Sequence, residues 1–322
     1  MDALVIATNR SQNFREWFEV WKKEIIENAL ELFIMHDTFD SRETQKLSNL
    51  FPLGIKARML DHNDVIDEFK QYSWIIPQQS GACKSYAIYR AWKAGAERIY
   101  CLDDDCLPGP NRYVARHQFN LRMTIRNHVY ETIDPVRPRG VPYLPENPIM
   151  LSHGLWENVP DVDAATQLNG YEKHYELRRG PIPIGALFPF CGMNWACNRE
   201  IIPLMYFGLH GHAWPVDRFD DIWCGFIAKK IMDHLGYAVN SGIPQINHNR
   251  ASDPLKNLEK EAKGYQWNCD FYEFVMNDLH IIGNKVLDCL LSVAGQLAKC
   301  EPVGYFAQYG DALKIWTSLF KE

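Results

Sequence analysis

Residues 99–106 read Ile-Tyr-Cys-Leu-Asp-Asp-Asp-Cys, an apolar run that stops in three consecutive carboxylates. This run and the Pro-Gly-Pro turn at residues 108–110 predict a buried strand that ends at the acids. Asp103 and Asp105 lie two residues apart and point the same way along an extended backbone, whereas Asp104 faces elsewhere. Hard oxygen ligands favour Mg²⁺ or Mn²⁺, which commonly bridges carboxylates to a substrate phosphate. We therefore expect a site for a metal ion and a phosphate, the alternative being an acidic loop or a helix N-cap.

Three segments near the N-terminus predict the fold class. Residues 4–8 and 32–35 read as buried strands, and residues 14–26, with apolar side chains at helical spacing, read as a helix with Ser11 as its candidate N-cap. This order predicts a parallel α/β sheet, whose ligands bind beyond the carboxyl ends of the strands. The polar residues expected along that edge are Thr8, Arg10, Asp37 and the three acids at 103–105.

The rest of the chain gives further expected elements. The strands are residues 55–60, 73–77, 188–199 and 237–246. The helices are residues 83–94 ended by Gly95, 117–127, 200–205 as a helix start, 218–235 ended by Gly236, 285–298 and 311–320. A proline-punctuated loop over residues 134–142 next to the active edge predicts a functional loop or a lid.

Composition narrows the class of protein. A formal net charge of -6 over 322 residues argues against a nucleic-acid-binding role. The nine cysteines are odd in number and contain no C-x-x-C pair, which is typical of reduced thiols in a cytosolic protein. No run of about 18 apolar residues occurs, so no membrane span is expected. We expect a soluble protein of the cytoplasm.

Several other polar residues have two interpretations. Asp161 and Asp163 form a second D-x-D pair, for which helix capping by Asp163 is favoured over metal binding. Two acids at 220–221 begin a helix, where they complement its dipole or supply a base. His248 ends a strand and is either a local hydrogen-bonding group or the nitrogen ligand of a metal set. The histidines at 210 and 212 are interpreted as loop residues.

With these residues in place, the chain resembles the reversibly glycosylated polypeptide family, the UDP-arabinopyranose mutases. The matching segments are residues 103–106 (Asp-Asp-Asp-Cys), 152–156 (Ser-His-Gly-Leu-Trp), 160–167, 188–194, 205–209, 220–223 and 248–254. They span most of residues 4–267 in the family's order. The final fifty or so residues carry no resemblance that we identify and are expected to be a helical extension independent of the family.

The resemblance implies a GT-A-like nucleotide-diphosphosugar-binding fold and a cytosolic enzyme that binds a UDP-sugar with Mn²⁺ or Mg²⁺. The enzyme would interconvert the pyranose and furanose forms of a UDP-sugar, and the expected substrate is UDP-L-arabinose. The metal ligands implied are Asp103, Asp105 and His248. The nucleotide-side residues implied are Thr8, Arg10, Asp37, Asp104 and Lys84, the last placed where the family has an arginine. The resemblance also allows a homo-oligomer.

Catalytic roles are assigned by chemistry and by the resemblance. Asp220 or Asp221 is expected to stabilise the cationic sugar or to move hydroxyl protons, as carboxylates do at glycosyl centres. Arg137 is a further candidate, because it matches an arginine of the family. The expected domains are 1–275, catalytic, with 107–150 as an active-site loop or lid, and 276–322, a helical extension.

The chain departs from the family at one motif. Counting back from Ser152 without a gap places the family's self-glycosylated arginine on Leu144 and its glutamate on Pro145. Either Arg137 or Arg139 replaces the missing arginine, or the protein does not glycosylate itself in the plant manner.

Two alternative functions stay open at the level of sequence. One is a glycosyltransferase that moves the sugar of a UDP-sugar to an acceptor, since fold alone does not fix function. The other is a non-catalytic UDP-sugar-binding partner of a catalytic homologue. The identity of the sugar is equally open, and a hexose is not excluded.

Overall fold

The computed structural model of the chain describes residues 1–125, 139, 146–170, 179–249 and 253–321. Its strands are β1 (Asp2–Thr8), β2 (Glu31–His36), β3 (Ala57–Leu60), β4 (Arg98–Asp103), β5 (Cys106–Pro108), β6 (Thr124–Ile125), β7 (Asn147–Asn158), β8 (Gly180–Pro181), β9 (Asn194–Asn198) and β10 (Ala238–His248).

Its helices are α1 (Ser11–Glu27), α2 (Ser41–Ser48), α3 (His62–Phe69), α4 (Lys84–Lys93), α5 (Tyr113–Leu121), α6 (Ala164–Asn169), α7 (Asp220–His234), α8 (Pro254–Glu261), α9 (Gly264–Glu273), α10 (Val286–Gln296) and α11 (Val303–Ser318). Short 3₁₀ helices span Lys70–Ile75 and Arg199–Leu204.

The strands form one mixed sheet in the order β3-β2-β1-β4-β9-β7-β10-β5. β1 pairs in parallel with β2 and β4, which confirms the expected α/β class. A wholly parallel sheet was the wrong expectation, because β9 runs antiparallel to both β4 and β7, and β5 runs antiparallel to β10. A fully buried apolar strand has the same composition in either direction, so direction depends on how the connections return.

Six expected elements are confirmed by their positions or caps. β1 and β2 flank α1 as predicted. Gly95 (φ 89°) follows the end of α4, and Gly236 (φ 73°) follows the end of α7, both in the left-handed region that suits a glycine after a helix. The side chain of Asp163 accepts the backbone N–H of Thr166 and so caps α6, as expected.

Other expectations for local structure are wrong. Residues 73–77 are not a strand: the apolar run at this point belongs to a 3₁₀ helix whose Ile75 is buried in the core. The helix expected over 117–127 begins earlier and ends at Leu121, before β6. The segment 199–204 is 3₁₀ rather than α-helical, since Pro203 supplies no N–H. Residue Arg10, not Ser11, is the N-cap of α1.

Residues 152–156 lie in β7, a long strand inside the sheet that sequence periodicity did not reveal. The strand pairs with both β9 and β10. Residues 149–154 of this strand are all buried, so both of its faces are covered and it lacks the polar alternation that marks a half-exposed strand.

The C-terminal helices pack against the segment that precedes α7. The indole N–H of Trp316 donates to the carbonyl of Pro203 at 2.8 Å, and the hydroxyl of Tyr305 donates to the carbonyl of Leu209 at 2.6 Å. Buried side chains of α10 and α11 share one hydrophobic core with those of the sheet. The domain boundary near residue 275 stays a prediction. The helices beyond it pack against the segment that leads into the acidic first turn of α7.

All nine cysteines are free thiols, and Cys269 alone among them is exposed. In the part of the chain that the structure describes, we find no helix with both the length and the apolar character needed to cross a bilayer.

Candidate active site

A cavity of about 760 Å³ opens where β1, β2 and β4 end. This volume is in the usual range for a small-molecule site. The cavity brings together every candidate site residue that the structure describes: Thr8, Arg10, Asp37, Lys84, Asp103, Asp104, Asp105, Asp220, Asp221 and His248. Arg137, Leu144 and Pro145 lie outside the described residues, whereas Arg139 is described and exposed. The rule that ligands bind beyond parallel strand ends therefore located the cavity.

Asp104 is held by the protein itself. Thr8 donates its hydroxyl to Asp104 Oδ2 at 2.6 Å, and the guanidinium of Arg10 contacts both carboxylate oxygens, with Nε 3.2 Å from Oδ2. Burial raises the pKa of Asp104, while Arg10 and Thr8 oppose that rise. The carboxylate of Asp104 therefore fixes the side chain of Arg10 at the rim of the cavity, where that side chain is partly exposed.

Asp37 organises a turn at the end of β2. Its carboxylate accepts the backbone N–H groups of Gln79 at 3.0 Å and Ser80 at 3.2 Å. It also lies 2.6 Å from Nε2 of His62, the first residue of α3. The three contacts pin residues 79–80, which line the cavity, to the end of the second strand.

Lys84 points into the acids from the start of α4. Its ammonium contacts Oδ1 of Asp103 and donates to the carbonyl of Gly192 at 2.9 Å. Burial alone would lower the pKa of Lys84, but Asp103 outweighs it and the pKa is raised well above the ordinary value. Lys84 is therefore a permanent cation whose charge balances Asp103 in this structure.

His248 and Asp105 form an oxygen and nitrogen pair on the opposite side of the acids. Nε2 of His248 lies 4.0 Å from Oδ1 of Asp105. Nδ1 lies 2.9 Å from the carbonyl oxygen of Val159 and must carry the ring proton, because a carbonyl only accepts. Nε2 is thus the nitrogen that faces Asp105, and in the neutral ring it carries the lone pair, as in metal-binding histidines fixed by a backbone carbonyl.

The predicted metal set is incomplete as a cluster. Among the described residues, the one group of three candidate ligands whose atoms lie within 4.8 Å of one another is Asp161, Cys191 and Asp221. Asp103 does not join Asp105 and His248 in such a group, and its Oδ1 is in contact with Lys84. Asp105 and His248 fit a hard divalent cation, which needs only one or two protein ligands when phosphates supply the others.

The second group is unsuited to such a cation. Burial raises the pKa of the Cys191 thiol well above its ordinary value, so its sulfur stays protonated, and the thiol hydrogen-bonds Asp161. Neutral sulfur is a poor ligand for Mg²⁺ or Mn²⁺. The sequence analysis favoured a purely structural role for the pair that contains Asp161. In the structure Asp161 also lines the cavity, beside Asp221.

Asp220 and Asp221 form a carboxyl pair in the first turn of α7. Oδ2 of Asp221 accepts the N–H of Gly192 at 2.8 Å. Burial, then the charge of Asp217, raises the pKa of Asp220 to about 6. Burial, then Asp220 and Asp161, raises the pKa of Asp221 well above its ordinary value. Two neighbouring carboxyl groups whose mutual repulsion favours protonation of one and ionisation of the other can move protons in both directions.

Two further polar residues of the cavity wall were missed. His153 and Ser241 face each other across β7 and β10, with Nδ1 of His153 2.9 Å from Oγ of Ser241. His153 lies in the Ser-His-Gly-Leu-Trp segment, which was the available signal. His210 is a loop residue, yet it is buried edge-to-face against Trp223 with ring centroids 4.9 Å apart.

Curated relatives named as mutases match nearly the whole chain. A probable UDP-arabinopyranose mutase 1 of Zea mays is 34% identical, and UDP-arabinopyranose mutase 3 of Arabidopsis thaliana is 33% identical. Each alignment covers 99% of this chain and 90% of the relative. Mutases are isomerases, and the prediction of an enzyme of the intramolecular transferase class is confirmed.

The solved structures to which the chain is similar are more distant. Glucosyl-3-phosphoglycerate synthase of Mycobacterium tuberculosis, in complex with Mn²⁺ and UDP-glucose, has a TM-score of 0.46 and 14% identity over 84% of this chain and 77% of that chain. TarS 1–349 of S. aureus has a TM-score of 0.39 and 8% identity over 99% and 89% of the two chains. Similarities this weak support no conclusion about function.

The model of the family described as "Reversibly glycosylated polypeptide" matches residues 2–322. The expectation of a family-independent extension over the final fifty or so residues is therefore wrong, because the match includes α10 and α11. The sheet order and this match together confirm the GT-A-like fold implied by the resemblance. The chain belongs to the reversibly glycosylated polypeptide family.

Proposed function

We propose that this protein is a metal-dependent UDP-sugar mutase that interconverts the pyranose and furanose forms of UDP-L-arabinose. The observation that carries the proposal is the carboxyl pair Asp220–Asp221 in the same cavity as the acids at the end of β4. Membership in a family with named mutases supports the substrate class.

The nucleotide would bind where β1 and β2 end. Arg10 is partly exposed at the rim and already oriented by Asp104, so its remaining N–H groups are available to an anionic ligand. Asp37 and the backbone that it holds at residues 79–80 form the adjacent wall. We assign the uridine to this end and the diphosphate to the region between Arg10 and the acids.

Asp105 and His248 would hold a divalent cation together with the diphosphate oxygens, and Asp103 is the third candidate ligand through the oxygen that Lys84 leaves open. When bound there, Mn²⁺ or Mg²⁺ would neutralise the negative charge that develops on the departing UDP. The hydrogen bond of His248 to Val159 is the observation that favours this assignment.

Ring contraction requires that one hydroxyl oxygen of the sugar lose a proton and that another oxygen gain one. When the bond between C1 and UDP breaks, the 4-hydroxyl of the sugar attacks C1 and gives its proton to the ionised carboxylate, Asp220. The C1–O5 bond then breaks while Asp221, the neutral acid, gives its proton to O5, and UDP returns to C1. One proton is taken and one is given, so the pair returns to its starting charge after the two carboxyls exchange a proton.

The direct test is incubation of the purified protein with UDP-arabinopyranose and Mn²⁺, without any acceptor, followed by chromatographic separation of the two ring forms. We expect UDP-arabinofuranose to accumulate to a constant ratio and EDTA to stop the reaction. Asp220→Asn should slow it by at least about 100-fold, the scale of one acid or base group. Asp105→Asn should also slow it, because it removes a charged ligand of the proposed cation.

Two outcomes would assign a different function. Release of UDP only when an acceptor is added, with label on that acceptor or on the protein, would indicate a glycosyltransferase. Binding of UDP-sugar without conversion by the isolated protein would indicate a non-catalytic partner, and conversion of a UDP-hexose in preference to UDP-arabinose would change the sugar.

We also infer that the protein works in the cytosol, because eight of its nine free thiols are buried within the fold rather than paired. Subcellular fractionation tests this inference, and recovery from a secretory compartment would contradict it. Sedimentation of the purified protein tests whether it forms a homo-oligomer.

A further inference from the structure

His153 and Ser241 are polar residues of the cavity wall to which the proposed chemistry gives no role. They lie opposite each other in the register of β7 and β10. Both are almost fully buried, with exposed fractions of 3% and 7%, yet both line the cavity. Buried polar side chains normally form hydrogen bonds within the protein. The donor and the acceptor of each hydrogen bond of this pair can therefore be assigned.

The backbone of Cys191 fixes the tautomer of His153. The N–H of Cys191 donates to Nε2 of His153 at 3.3 Å, which means that Nε2 carries a lone pair. The ring is neutral, since burial lowers the pKa of His153 to about 3. Its one proton must therefore be on Nδ1, which lies 2.9 Å from Oγ of Ser241. His153 is the donor in that contact and Ser241 is the acceptor.

This direction leaves the hydroxyl hydrogen of Ser241 without an acceptor. Ser241 cannot donate back to Nδ1, and within the described ranges of the chain its hydroxyl has no other hydrogen-bond partner. A buried hydroxyl hydrogen without an acceptor is unfavourable, and a ligand oxygen that accepted it would offset this cost. The open space next to Ser241 is the cavity.

The position of the pair indicates which part of the ligand it meets. Cys191 connects the two regions: its N–H orients His153, and its thiol lies within 4.8 Å of carboxylate oxygens of Asp161 and Asp221. Ser241 is thus on the wall that carries the carboxyl pair rather than at the rim where Arg10 lies. The sugar is the part of a UDP-sugar that reacts at the carboxyl pair.

We propose that Ser241 donates its hydroxyl hydrogen to an oxygen of the sugar in a bound UDP-sugar, and that His153 is the positioning residue that holds Ser241 in this orientation. The inference rests on the proposed function, because it takes a UDP-sugar as the occupant. It adds a specificity determinant that favours an oxygen acceptor at one position of the sugar ring and disfavours a deoxy analogue there.

Calorimetric titration with UDP and with UDP-arabinopyranose, both with Mn²⁺, tests the assignment. For Ser241→Ala we expect about 5- to 10-fold weaker binding of the UDP-sugar and unchanged binding of UDP, the scale of one hydrogen bond. Ser241→Thr keeps the hydroxyl and should retain more of the affinity. Ser48→Ala, at the exposed end of α2, is the matched control.

Equal affinity of Ser241→Ala and the unaltered protein for the UDP-sugar would overturn the proposal, and so would an equal loss for UDP, which would place Ser241 against the nucleotide. A double-mutant cycle separates positioning from packing for His153. His153→Phe should weaken UDP-sugar binding in the unaltered background and add little in the Ser241→Ala background, and an additive loss would contradict the positioning role.

Failure of the proposed function has a different signature. If the unaltered protein bound no UDP-sugar, both the function and this inference would fall. If it bound and converted UDP-arabinopyranose while Ser241→Ala behaved identically, the inference alone would fall.

Discussion

Nδ1 of His248 lies 2.9 Å from the carbonyl oxygen of Val159. This contact decides which ring nitrogen faces the acids, because a carbonyl accepts and so places the proton on Nδ1. The other nitrogen is left with its lone pair 4.0 Å from a carboxylate oxygen of Asp105. A residue that sequence places only at a strand end is thereby prepared to bind a cation.

Removing that nitrogen should weaken metal binding selectively. His248→Leu replaces the imidazole with an apolar side chain of similar length. We expect this variant to bind Mn²⁺ at least about 10-fold more weakly in the presence of UDP. Mn²⁺ binding is measured by electron paramagnetic resonance of the free ion. His280→Ala removes an exposed imidazole and is the control. Unchanged Mn²⁺ affinity in His248→Leu would exclude His248 as a ligand.

Lys84 and a metal should compete to neutralise Asp103. Lys84→Met removes the buried cation and leaves Asp103, whose side chain is 34% exposed, without its partner. We expect a loss of about 1–3 kcal/mol in the free energy of unfolding, less than for a fully buried pair because water reaches Asp103. Because Lys84 no longer repels the ion, Mn²⁺ should raise the melting temperature more in the variant than in the unaltered protein.

The control for this experiment is Lys23→Met, since the side chain of Lys23 is 84% exposed and its ion pair with Glu27 lies on the surface of α1. A smaller Mn²⁺-induced rise in melting temperature for Lys84→Met than for the unaltered protein would show that Asp103 does not face the metal.

Thr8 should stabilise the protein through a single hydroxyl. It donates to Asp104 at 2.6 Å and also accepts the N–H of Arg10 at 3.1 Å. Thr8→Val keeps the shape and leaves the buried carboxylate short of one donor, so the free energy of unfolding in urea should fall by about 1–2 kcal/mol. Thr8→Ser keeps the hydroxyl and should recover most of the loss. Equal stability of the valine and serine variants would disprove the role of this bond.

Asp221 should make the metal-free protein less stable as pH rises. Its pKa is raised in the folded state, so the folded protein holds a proton that the unfolded chain has already released above about pH 4. Stability therefore declines from the ordinary carboxyl pKa upward through the raised value, by about 1.4 kcal/mol for each pKa unit of the shift.

Asp221→Asn cannot ionise and also relieves the repulsion on Asp220. We expect the variant to unfold at higher urea concentration than the unaltered protein at pH 7.5 in EDTA, with a smaller difference at pH 5, while its mutase activity is lost. The control is Asp67→Asn, whose side chain is 84% exposed. A stability gap that is the same at both pH values would contradict the raised pKa.

Sequence predicted the proposed nucleotide side of the cavity better than the proposed sugar side. The strands β1, β2 and β4 are neighbours in the sheet, with β1 between the other two, so local apolar runs followed by Thr8, Asp37 and Asp103 were enough. The sugar side combines residues from β7, β10 and the segment before β9, including Ser241, whose neighbours are remote in sequence. Periodicity carries no information about such contacts, because it reports only which local face is buried.

The sequence by itself determined the α/β class, the family, the edge of the sheet at which the cavity opens and the acids that lie there, since each depends on local patterns or on motifs. Only the tertiary structure decided the partner of each acid: Asp104 is held by Arg10, Asp103 is balanced by Lys84, and Asp105 lies between Arg10 and His248. The physical reason is that hydrogen-bond direction and pKa depend on atoms a few ångströms away in space, and these atoms come from strands far apart in the chain.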